Sequence, residues 1–154
     1  MILFANPSAL EKFRSVAWEF QYTFETPLKT LPAFVSTIVG AGGAWKSANV
    51  TLELVVFEPQ NLIALLKKSS ILPRYERGVT LTAEGREEIE ALLCAVLGDW
   101  IDFIFVPTPE SFVIYADHDE FTTFYAHTRS DLNRVTDALL HHGFKPEPDY
   151  ERHL

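Results

Sequence analysis

At 154 residues the chain has the length of one domain and is long enough to bury a real core. Apolar residues make up 47% of it and charged residues 22%, which excludes a disordered polymer. The lone Cys94 excludes both an internal disulfide scaffold and a zinc site of thiolates.

The net charge of −8 is unevenly spread. Residues 1–77 carry eight Lys/Arg against six Asp/Glu, and residues 78–154 carry five against fifteen. An acidic half repels phosphate backbones, so a basic protein partner or a homo-oligomer is expected rather than nucleic acid. The apolar start, Met1 to Ala5, has no basic flank and is too short for a signal peptide. The apolar window 31–45 is interrupted by Ser36, Thr37 and three glycines and is too short to span a bilayer. A cytoplasmic protein without a membrane partner is expected.

Asn6-Pro7 has the form of a helix start, and Leu10, Phe13, Val16 and Ala17 continue it at helical spacing over residues 7–16. The period then changes. Trp18, Phe20, Tyr22 and Phe24 alternate with Glu19, Gln21, Thr23 and Glu25, which describes a half-buried strand. Residues 28–39 fit either a helix or a buried strand. Pro32 favours a helix starting near it, and the glycines at 40, 42 and 43 favour its termination.

Residues 50–57 read as a strand covered on both faces, 61–68 as a short helix, and 69–78 as a loop. Ile89, Leu92, Leu93, Val96 and Leu97 form the stripe of a helix over 82–98. Strands follow at 100–106, 111–117 and 120–127. A last helix spans 130–142, with Thr128 and Asp131 at capping-box spacing and Gly143 as its stop. The pattern predicts a single compact α+β domain over 1–154, with a mainly antiparallel sheet of about five strands and helices packed on it.

Few motifs suggest chemistry. The glycines of 39–45 fail as a dinucleotide fingerprint, because Trp45 holds the third glycine position and no crossover helix fits before Val50. No cofactor is expected. Leu62, Leu65 and Leu66, then Ile71-Leu72, Gly78 to Thr82 and Gly85-Arg86 resemble the recognition helix, wing and following helix of winged-helix regulators. That resemblance implies DNA binding through Lys67, Lys68, Arg74, Arg77 and Arg86.

The candidate polar cluster is Asp117, His118, Asp119 and Glu120, which offers the ligand types of a metal site. Consecutive strand residues point to opposite faces, so the four converge only if a turn gathers them. His127 stands at the far end of the last strand, about 23 Å away at ~3.3 Å per residue. A solvated hairpin turn is the first reading, with His118 the base if there is chemistry. No metal is assigned and no catalytic residue is identified. The expected function is a non-enzymatic interaction or regulatory domain. The alternatives are a small enzyme or ligand-binding domain using the 117–120 turn, and a winged-helix-like regulator.

Overall fold

Alternating aromatics make the first recognisable strand, because a period of two sends Phe20, Tyr22 and Phe24 to one side of the backbone. In the computed structural model, which describes residues 1–153, this strand lies at one edge of a seven-stranded sheet. The strands are β1 (Ile2–Ala5), β2 (Phe20–Glu25), β3 (Ser47–Leu54), β4 (Val79–Glu84), β5 (Asp102–Thr108), β6 (Val113–Ala116) and β7 (Phe121–Ala126). Their order is β1-β4-β3-β5-β6-β7-β2, and every neighbouring pair is antiparallel.

The expected sheet of about five strands is therefore two strands short. β1 lies in the apolar start, and β4 takes residues 82–84 from the expected helix over 82–98 together with the three residues after the expected loop over 69–78. In β4, Thr82 and Glu84 carry residue types that also open helices, which hid the alternation of Leu81 and Ala83. Gly85, at φ +80°, is where strand becomes helix. β4 lies between β1 and β3, so the segment resembling a winged helix forms no wing hairpin.

Five helices join these strands: α1 (Ser8–Ser15), α2 (Leu31–Gly42), α3 (Gln60–Lys68), α4 (Gly85–Gly98) and α5 (Arg129–His141). Residues 28–39 resolve as a 3-10 turn, Leu28–Thr30, followed by α2 with proline in its first turn. A Cβ on Gly42 would sit 2.2 Å from the Trp45 ring, so this glycine lets the indole close over the helix end. Thr128 caps α5 by accepting the Asp131 amide at 3.1 Å.

One face of the sheet carries the main core. Phe24, Leu52, Phe103 and Phe105 meet side chains of α2 to α5 there, including Phe34 and Val135. Burying each large side chain contributes about 1.5–3 kcal/mol. The other face carries a smaller cluster, in which Leu10 and Phe13 of α1 cover Ile104, Val113, Tyr115 and Tyr125. Elsewhere this second face is polar. Thr51 bonds Thr80 at 2.8 Å, Thr82 donates to Asn49 at 2.6 Å, and Thr23 bonds Thr123 at 2.8 Å. The candidate site residues described next border this second face.

Candidate functional site

The Asp117–Glu120 stretch is the tight connection from β6 to β7, and its four side chains disperse. Asp117 turns inward and is 8% exposed. Its Oδ1 accepts the amides of Asp119 (3.0 Å) and Phe121 (3.4 Å), which shapes the turn. Its Oδ2 holds the guanidinium of Arg152. His118 folds back to β5, where its amide and its Nδ1 each lie 2.8 Å from Asp102 Oδ1. Asp119 and Glu120 face solvent, with Glu120 at φ 72°. Among the described residues no three of His, Cys, Asp and Glu are grouped to hold a metal ion.

The turn nevertheless borders a buried charged network on the second face. Glu53 of β3 is 8% exposed and accepts the Tyr115 hydroxyl at 2.5 Å. Arg14 of α1 pairs with the same carboxylate, and Arg77 approaches it at 3.9 Å. Arg152 lies over the Tyr115 ring, 4.6 Å from its centroid, and so links this group to Asp117. Three arginines and two carboxylates are thereby gathered around one phenol. Buried charges are tolerated only when paired in this way.

Electrostatics follow the packing. Burial, with the Asp102 charge second, pushes the Tyr115 hydroxyl up to about 12. The Tyr125 hydroxyl is pushed up further by burial, with the nearby Arg152 charge opposing, and finds no hydrogen-bond partner among the described residues. The hydrogen bond from His118 to Asp102 raises the imidazole above its ordinary value. Asp99 caps α3 by accepting the amides of Asn61 (3.1 Å) and Leu62 (2.8 Å), while burial pushes its carboxyl up.

A carboxylate–imidazole pair orients a base, yet catalysis also needs a nucleophile within hydrogen-bond reach. No hydroxyl or thiol bonds His118 among the described residues; its Nε2 has Asp119 at 3.8 Å. Arg152 and Glu53 are the members of the network that sequence reasoning missed. A lone cation among Glu147, Asp149 and Glu151 was the available signal for Arg152. Glu53 stood in a run that read as covered on both faces, where a carboxylate requires a partner.

Two further surfaces are notable. A cleft of about 400 Å³ under α1 is lined by Lys12, Asn49 and Glu110, with Trp18 stacked on His127 at 4.5 Å. The second surface lies beyond β3. Leu54, Pro73 and Tyr75 line a cleft of about 560 Å³ with Glu53, Arg74 and Arg77. Nearby in the chain, Phe57 is 55% exposed and Leu72 81%. No family model, curated protein or solved structure matches the chain, so geometry alone supports a functional reading.

Proposed function

We propose that this protein is a non-enzymatic interaction domain that binds an acidic, apolar segment of a partner protein on the surface beyond β3. The observation that supports this is exposed apolar surface: Leu54 and Tyr75 in the cleft, with Val56, Phe57 and Leu72 exposed in the chain segments that lead to and from it. Contiguous exposed apolar side chains with a polar rim are a mark of protein-binding surfaces. The rim argues for an acidic partner. Arg77 lines the cleft and Lys67 and Lys68 end the helix leading into Leu72, while Arg74 there is already paired with Glu76.

The surface differs from the acidic half, residues 78–154, whose charge leads one to expect a basic partner. Of the fifteen carboxylates in residues 78–154, Asp99, Asp102 and Asp117 are buried with internal partners. The 117–120 turn gains little support as an active site, because its inward groups already satisfy one another.

A displayed library of random peptides, selected against the purified protein, tests the reading. Sequences pairing Asp or Glu with Leu, Phe or Trp should emerge. Their binding should fall about tenfold in a Phe57→Asp, Leu72→Asp double variant that keeps the wild-type circular dichroism. Selected peptides without that pattern, or equal binding to the variant, would reject this surface.

A further inference from the structure

We propose that residues 144–152 occupy, in cis, a peptide-binding site on the β2 edge, and that this site accepts an extended, arginine-bearing segment of a partner protein when the tail departs. The inference is independent of the surface beyond β3.

The tail runs beside β2 as an incomplete eighth strand. The Glu25 amide donates to the Lys145 carbonyl at 3.0 Å, and the Glu147 amide donates to the Thr23 carbonyl at 2.9 Å. Pro146 bridges to Phe24 between them. Pro146 and Pro148 have no N–H, so the ladder cannot extend as a regular strand would. Lys145, Pro148, Asp149 and Glu151 remain exposed. This part of the tail lies on the surface without filling it.

Arg152 is the exception, with a side chain only 7% exposed. Its backbone amide donates to Gln21 Oε1 at 2.9 Å, and its Nε donates to Thr123 Oγ1 at 3.1 Å. Nη1 pairs with Asp117, while the plane of the group lies over Tyr115 and, at 5.5 Å, Tyr150. Tyr150 itself stacks on Phe121 at 4.5 Å. A carboxylate at one edge and two aromatic rings, centred 4.6 and 5.5 Å from the guanidinium carbon, suit a planar fork and do not suit an ammonium.

An open sheet edge supplies main-chain bonds of no sequence preference, and a side-chain pocket supplies specificity. Those are the two parts of peptide recognition by strand addition. Here both are present, and both are filled by a segment held through two main-chain ladder bonds, the Lys145–Glu25 ion pair, Phe144 against Phe34, Tyr150 on Phe121 and the buried Arg152 side chain. A competing segment of the same chemistry makes the same contacts.

The test uses full-length protein and a synthetic peptide of residues 144–152. Arg152→Ala should bind the peptide about tenfold more tightly than the wild type, whose own tail competes. A peptide with lysine at the arginine position should bind Arg152→Ala about tenfold more weakly. Adding Asp117→Asn should remove that preference. Equal affinity for the arginine and lysine peptides overturns the proposal. Should Arg152→Ala fail to fold, hydrogen exchange on the wild type decides. The Glu147 amide should exchange about tenfold faster than the amides between β5 and β6, through local opening. Equal rates mean the tail leaves only on global unfolding, which also overturns it.

Discussion

Asp117 and Arg152, 35 residues apart, form an ion pair with less than a tenth of either side chain exposed, and it ties the β6–β7 turn to the tail. Removing one member leaves the other charge buried without its partner. Asp117→Ala should therefore cost about 3 kcal/mol in urea unfolding, and Arg152→Ala a similar amount. The double substitution should cost less than the two single losses together by about 1 kcal/mol or more. Additive losses would show that the pair is not energetically coupled.

His118 should titrate above its ordinary value, since the Asp102 hydrogen bond favours the charged ring. The folded state then binds this proton more tightly than the unfolded state. The stabilisation is complete below the unfolded value near 6.5 and is lost as pH rises through the higher folded value. NMR titration of the His118 ring checks the direction. Asp102→Asn should return the midpoint toward 6.5. An unchanged midpoint in that variant would remove Asp102 as the cause.

Tyr115 keeps its proton to about 12 in the folded chain and loses it near 10 when unfolded. Its protonated hydroxyl therefore supports the fold up to about pH 10, and that support disappears as pH approaches 12. Absorbance of phenolate should show this group ionising together with alkaline unfolding. Tyr115→Phe should cost about 1.5–3 kcal/mol, because the buried Glu53 carboxylate loses a donor. A loss below ~0.5 kcal/mol would mean that the arginines alone satisfy Glu53.

Gly42→Ala tests the closure of α2 against Trp45. The added methyl would lie 2.2 Å from the ring, so the indole must move. The variant should lose about 1–3 kcal/mol despite alanine's better helix propensity. A stabilised variant would show that Trp45 relocates freely.

Elements with one clean period were legible in the sequence. Phe20 to Glu25 alternated strictly, and Ile89 to Leu97 held a helical stripe. β1 escaped because four apolar residues carry no usable period. β4 escaped because its threonines and Glu84 also suit a helix start. At the site, strand alternation does not govern Asp117 and His118, which lie in the turn beyond β6. It gave no access to Arg152 or Glu53, whose partners lie on distant strands and become neighbours only through strand order.

The two borders of the sheet differ in a way that limits assembly. β2 is shielded by the tail, whereas β1 shows Ile2 at 60% and Phe4 at 38% exposure with no strand beyond it. β1 also lacks the lysine or proline that commonly discourages edge pairing. Were copies to join through β1, the tail over β2 would leave each pair with shielded borders only, so growth would stop at two copies.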